Sequence, residues 1–467
     1  MLTLIHNAAI ANEGRIFCGS ALIDGERIAA VYEAGAEPDG LAADRTVEAD
    51  GMLLMPGVID THVHFRDGGL SDNPAGTFAT ESRAARAGGV TSVVDMPNTN
   101  PPTISMAALE QKEAMAARTS VVNYGFMLGA SNSNIDDLLQ VEPTRYAAIK
   151  LFLGSSTGNM LVDNEEQLDR LFSQARKLIV AHCEEEHMVQ ANIASYRQQY
   201  QGTADERAAL HPQIRNSAEC ALSTYRAISR ARRFGTRLHI AHISTATELG
   251  MLSNFDLERK HITAEVTPNH LFFDDRDYAT LGNLIKCNPA IKSADDRLAL
   301  WAGLGDDLID TIATDHAPHP LQAKEKPYFD APSGIPSIQH SLQMMLESVF
   351  GPGGDAWQGL GSRELAGRLS AADEEAVPIS LIVQKMCHNP ARLFGIEGRG
   401  FVSEGMQADL VLVRPGVRHT VQGSDLLYRC GWSPIVGQTF HTKIEGVWVN
   451  GCGEESTAAA QALRFAK

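Results

Sequence analysis

Eight short apolar runs, separated by helix-like stretches, constrain this chain more than any other feature of its sequence. They are LLMPGVID (53–60), VTSVVDM (90–96), VVNYGFML (121–128), YAAIKLFL (146–153), KLIVAHC (177–183), RLHIAHIS (237–244), ITAEVTP (262–268) and DTIATD (310–315). Each has strand length and is apolar or rich in β-branched residues. Between most of them lie stretches of helical character, such as 75–87, 106–117 and 165–176. Nearly continuous apolar strands joined through helices read as a parallel sheet buried on both faces. About eight such units over roughly 260 residues match a TIM-type (β/α)8 barrel. An open doubly wound sheet is the competing arrangement, but no Gly-rich dinucleotide turn accompanies these runs.

A barrel carries its chemistry at the C-terminal ends of its strands, and this rule can be tried on the polar residues. Strand side chains alternate, so Asp60, His62 and His64 share one face at the end of the first run. The fourth run carries Lys150, the fifth ends near His182, the sixth near His242 and the last at Asp315. Any one of these histidines alone reads as a core or surface residue satisfied by hydrogen bonds. Together, four imidazoles, a carboxylate and a lysine at one mouth point to a metal centre, with Arg66 beyond it as a clamp for an anion.

The remaining sequence narrows the setting. With 40 basic and 57 acidic residues among 467, the net charge of −17 argues against nucleic acid or an anionic membrane as partner. The seven cysteines are scattered and form no CxxC pair, which suits a reducing, cytoplasmic setting. No basic leader precedes an apolar stretch, and no run of about 18 apolar residues occurs, so an unexported protein is expected. Residues 1–52 and 400–467 are short β-type runs broken by Gly and Asp turns. The expected organisation is therefore a small composite β-sandwich made by both chain ends, with the barrel, 53–399, inserted between them.

Several segments resemble a known family. PGVIDTHVHFRD, ATESRAARAGGVTSVVDMPNTNPPT, KLFLGSSTGNM, KCNPAIK, ATDHAPH and PSGIPSIQHSL are similar to motifs of the amidohydrolase superfamily and, within it, of the dihydroorotases. The resemblance implies Zn²⁺, with Lys150 carboxylated to a carbamate that bridges two ions. His62, His64 and Asp315 would hold one zinc and His182 and His242 the other. Bound metal lowers the pKa of water and polarises a carbonyl, and Asp315 would pass the proton from that water to the departing ring nitrogen. Arg66, Asn98 and His319 would contact the carboxylate of dihydroorotate, with His64 also against the substrate. Asn288 would touch the ring amide, and Ser333 and Gly334 would offer backbone groups. For Asn98 and Asn288, turn formation beside proline is the competing explanation. His187, His239, His270 and His316 match no ligand of the pattern and are read as structural.

The implied reaction is reversible hydrolysis of (S)-dihydroorotate to N-carbamoyl-L-aspartate, a step of pyrimidine synthesis. Allantoinase or dihydropyrimidinase is the alternative with the same metal chemistry, and Arg66 is the feature that speaks against it. A non-catalytic scaffold is a second alternative, disfavoured by the complete ligand set. A homodimer is a family expectation, and docking of a carbamoyltransferase is left open. The polar segment 153–160 after Lys150 reads as a mobile flap or as an ordinary turn. Two departures stand out: Arg66-Asp67-Gly68-Gly69 where the family has REPG, and Thr267-Pro268-Asn269-His270 where it has TPHH.

Overall fold

Residues 1–68, 73–154, 160–199, 207–351, 353–371 and 377–466 are described by the computed structural model. Eight strand positions form the barrel. They are β6 (Val58–Val63), β7 (Val90–Asp95), β8 with β9 (Asn123–Phe126, Leu128–Gly129), β10 (Ile149–Phe152), β11 (Ile179–His182), β12 (Leu238–Ile240), β13 (Ile262–Val266) and β14 (Thr311–Ile312). The neighbouring strands are parallel: β6 to β8 form one ladder and β9 to β14 another. A parallel bridge between Val63 and His316, with His64 N donating to His316 O at 2.8 Å, joins the last strand position to the first. The barrel strands are buried almost throughout, which is why the runs lack polar alternation.

The first predicted run is two strands rather than one. Leu53–Pro56 (β5) leaves the barrel and pairs with β1 (Leu2–Asn12) and β15 (Leu410–Thr420). Gly57 makes the crossing: its N–H donates to Asp409 O at 2.8 Å, and a Cβ there would lie 2.2 Å from Thr91 Oγ1. Both pieces are apolar because both are buried, so hydrophobicity alone does not show the division.

The chain ends meet in a seven-stranded sheet. Its order is β16 (Thr439–Trp448), β15, β5, β1, β2 (Arg15–Asp24) and β3 (Arg27–Glu33), with β4 (Arg45–Glu48) on β1. A register shift between Ile5 and Ala8 falls between the two halves of β1, the first paired with β4 and the second with β5. The sheet packs around Ile5, Ile10, Ile23, Leu54, Leu410 and Trp448, making the β-sandwich beside the barrel. The last residues cross beneath the barrel, where Leu463 and Phe465 pack against Ile59, Val94 and Ala147.

Helix starts follow their caps. Thr77 accepts from Thr80 N and starts the first barrel helix at Phe78, three residues later than apolar spacing predicts. Ser105 and Asn164 likewise cap Met106–Thr119 and Glu165–Gln174. Among the described residues no helix is long and apolar enough to cross a membrane.

Candidate active site

The C-terminal ends of the barrel strands surround a small pocket. His62 lies in β6 and His64 just after it, Lys150 lies in β10, and His182 is the last residue of β11. His242 follows β12 by two residues and Asp315 follows β14 by three. All six line the cavity, together with Arg66, Asn98, Asn288, Ser333 and Gly334. His319 does not line it; its ring stands behind the wall, 3.0 Å from Ser333 O. Phe152 and Ala317 complete the lining. Ser155, Ser156 and Thr157 of the expected flap, and Gly69 of the departed turn, lie outside the described residues.

Which nitrogen each imidazole turns to the centre is set from behind. His62 Nδ1 is 2.7 Å from Glu265 Oε1, leaving Nε2 to face Asp315 Oδ1 at 3.3 Å. His64 Nδ1 is 2.7 Å from Asn98 Oδ1, and its Nε2 is 3.0 Å from the same Asp315 oxygen. For His182 the order is reversed: Nε2 meets Glu184 Oε2 at 2.8 Å and Nδ1 faces inward, 3.0 Å from His242 Nε2. Glu265 and Glu184 accept from one ring N–H of His62 and His182, which turns the other ring nitrogen of each inward. Lys150 Nζ is 3.4 Å from His62 Nε2.

The protonation states fit such a site. Burial pushes His64 down to about 3 and His242 well below its ordinary range, so both imidazoles are neutral at pH 7. Burial alone would raise Asp315, but the facing His62 and His64 rings more than offset it and hold the carboxyl well below its usual range. Burial draws Lys150 down to about 8, which leaves an appreciable fraction of free amine at neutral pH.

The donor set fits a divalent cation. Ligand atoms of His62, His64 and Asp315 lie within 4.8 Å of one another, and His182 and His242 turn two ring nitrogens to each other beside them. His242 Nδ1 is buried with no hydrogen-bond partner. Inward-facing ring nitrogens with a carboxylate between them are what such an ion selects.

Sequence reasoning placed Asp60 on the face of His62 without giving it a role and missed the other supports. Glu265 was visible as a lone carboxylate in an apolar strand, and Glu184 as an acid two residues beyond His182. Asp60 is buried behind His62, accepting from Thr314 N, Thr314 Oγ1 and His62 N, and burial raises it to about 6. Of the histidines read as structural, His316 bonds Glu81, His270 bonds Thr267 and Pro289 O, His239 bonds Thr263, and His187 is exposed.

A closed parallel barrel with histidines, a lysine and an aspartate at its strand ends defines a metal-dependent hydrolase architecture. The Amidohydrolase family model matches residues 53–452, and the chain belongs to that family. Within it, the chain is 34% identical over 437 residues to a dihydroorotase of Halobacterium salinarum, covering 93% of this chain and 92% of the relative. It is 30% identical over 447 residues to a dihydroorotase of Latilactobacillus sakei, covering 94% and 95%. Among solved structures, the L-hydantoinase (dihydropyrimidinase) of Arthrobacter aurescens superposes with a TM-score of 0.86 at 24% identity, covering 99% of both chains; this likeness concerns the fold.

Proposed function

We propose that this chain is a dihydroorotase, a hydrolase of cyclic amides that interconverts (S)-dihydroorotate and N-carbamoyl-L-aspartate. The observation that carries the substrate assignment is Arg66. Its Nη2 lies 3.3 Å from His319 Nε2, the same nitrogen that lies 3.0 Å from Ser333 O. One ring nitrogen cannot donate to a carbonyl and accept from a guanidinium at once. With Ser333 O engaged, Arg66 keeps donors for another acceptor, and its Nε is buried without a partner among the described residues. A planar cation with free donors at the rim of a hydrolytic pocket suits a substrate carboxylate.

His62, His64 and Asp315 would hold one Zn²⁺ and His182 and His242 a second, with Lys150 carboxylated between them. Bound zinc polarises a carbonyl and lowers the pKa of water. The carbamate would form when the Lys150 amine attacks the carbon of CO₂: an N–C bond forms, one C=O π pair moves onto oxygen, and the nitrogen gives up a proton to solvent. Asp315 moves the proton from the attacking water to the ring nitrogen that leaves. Arg66 and Asn98 orient the carboxylate, His64 lies against the ring, and His319 acts from behind the wall by holding Ser333 O. Asn288, whose Oδ1 is buried without a partner, meets the ring amide, and Ser333 and Gly334 present backbone groups. A cytoplasmic homodimer is part of the same reading.

The test is a ring-opening assay on the purified chain together with elemental analysis. Expected are turnover of dihydroorotate, loss of activity on chelation, recovery with Zn²⁺ and two equivalents of zinc. Faster opening of hydantoin or allantoin than of dihydroorotate would overturn the substrate assignment, and full turnover without metal would overturn the chemistry.

A further inference from the structure

Two buried lysines stand behind the Ser333–Gly334 wall of the pocket, outside the constellation described above. Lys324 is 1% exposed, and its Nζ donates to Lys286 O at 3.0 Å, Pro332 O at 3.0 Å and Gly334 O at 2.9 Å. Lys286 donates to Tyr328 O at 2.7 Å and Ala331 O at 2.6 Å. Every hydrogen-bond partner of the two ammoniums is a main-chain carbonyl, and among the described residues no carboxylate pairs with either. Buried lysines are ordinarily neutralised or paired with an acid, so two adjacent ones held by carbonyls alone call for a reason.

The carbonyls belong to the turn that forms the substrate wall. Gly334 N donates to Lys286 O at 2.8 Å and Ala317 N to Ile335 O at 3.0 Å, tying the turn to the segment that carries Asp315. Ser333 O meets His319, and His319 O accepts from Trp432 Nε1 at 2.7 Å, with the Trp432 ring 5.7 Å from Lys324 Nζ. Burial lowers Lys324 to about 7, with Lys286 adding to the shift, yet its three acceptors require three N–H groups, and only the ammonium has three. The charges of Arg66 and Lys324 both act on His319, which burial already holds neutral.

We propose that Lys324, with Lys286 beside it, is a positioning residue for an anionic substrate. It clamps the Pro332–Gly334 turn so that Ser333 and Gly334 face the pocket beside Arg66, and it sets a positive charge behind that wall. The inference deepens the dihydroorotase reading and rests on it. An anion held by Arg66 is attracted by the charge behind the wall and meets the turn that Lys324 holds, so substrate affinity rather than the chemical step depends on the lysines.

The experiment compares full-length wild type, Lys324→Met and Lys286→Met, each loaded with Zn²⁺. Readouts are KM and kcat with dihydroorotate, zinc content and the thermal midpoint. For Lys324→Met we expect KM to rise about tenfold or more while kcat stays within about threefold and zinc content is unchanged. Lys286→Met, which frees two carbonyls instead of three, shifts KM in the same direction by less. A folded, zinc-replete Lys324→Met with wild-type KM overturns the proposal, as does a fall in kcat at constant KM. If Lys324→Met does not fold, Lys286→Met decides by the same criteria; failure of both to fold makes the lysines stability elements and overturns the positioning role. A wild type that leaves dihydroorotate intact refutes the underlying reading, and is recognised before any variant is compared.

Discussion

Arg66→Met separates binding from stability more sharply than any other single change. The guanidinium lines the pocket with a buried Nε that has no partner among the described residues and an Nη2 3.3 Å from His319 Nε2, itself committed to Ser333 O. A substrate carboxylate would receive two charge-assisted hydrogen bonds, each worth about 1.5–3 kcal/mol. Arg66 is only partly buried and loses water when the substrate arrives, so the lower half of that range applies. About 3–4 kcal/mol corresponds to a fall of roughly 10²–10³ in kcat/KM. Lys at this position keeps the charge and loses the fork, so Arg66→Lys should fall between Met and wild type. Stability should move the other way or not at all, because burial already disfavours this cation. Initial rates across a range of dihydroorotate, with a thermal melt of each variant, decide the matter. An Arg66→Met enzyme within tenfold of wild-type kcat/KM would refute the reasoning.

Three further outcomes are expected. Glu265→Gln exchanges the charged acceptor that fixes His62 through its Nδ1 at 2.7 Å for a neutral amide, and should weaken zinc binding about 10–100-fold in a chelator competition; unchanged affinity would make Glu265 merely structural. Gly334→Ala places a Cβ 2.3 Å from Ala317 O at φ 144°, so urea denaturation should show a loss of about 2–4 kcal/mol together with a damaged KM; a neutral substitution would contradict the turn geometry. Burial lowers His270 and His340 to about 4, below the roughly 6.5 of the unfolded chain. Between pH 6.5 and 4 the unfolded state therefore binds protons that the folded state refuses, and stability falls as pH falls, by about 3 kcal/mol per histidine at the lower end. A urea midpoint that does not move between pH 7 and 4.5 would contradict this.

The barrel was legible because its strands are buried on both faces and so appear as uninterrupted apolar runs at regular intervals. The same property hid the boundary at Gly57, since β5 in the sandwich and β6 in the barrel are equally apolar. The inward histidines were legible because they fall at strand ends, where the fold places its chemistry. Their supports were not, because a support is defined by what it meets. Glu265 acts on His62 across 203 positions, and Trp432 on His319 across 113. Lys286 and Lys324 were invisible for a further reason: their partners are main-chain carbonyls, which every residue has.

The strained positions show how the buried acids and the site depend on one another. Arg66, His242 and Asp315 are non-glycine residues with φ of 64°, 37° and 48°, a region that costs an L-residue about 1–3 kcal/mol unless its surroundings impose it. Each follows a strand end, where continued alternation would carry the chain onward instead of turning a side chain across the mouth. The surroundings supply what the local sequence does not. Glu265 Oε1, already on His62, also accepts from His242 N at 3.3 Å. Asp315 stands between Thr314, whose N–H and hydroxyl are both held by Asp60, and His316, which is held by Glu81 and Ser337 N. Asp60, Glu81 and Glu265 therefore act twice: they satisfy buried donors, and they force the backbone bends that bring His242 and Asp315 toward His62 and His64. An apolar residue in any of the three places would ease burial and release the bend, which explains why this barrel keeps buried carboxylates beside its most strained residues.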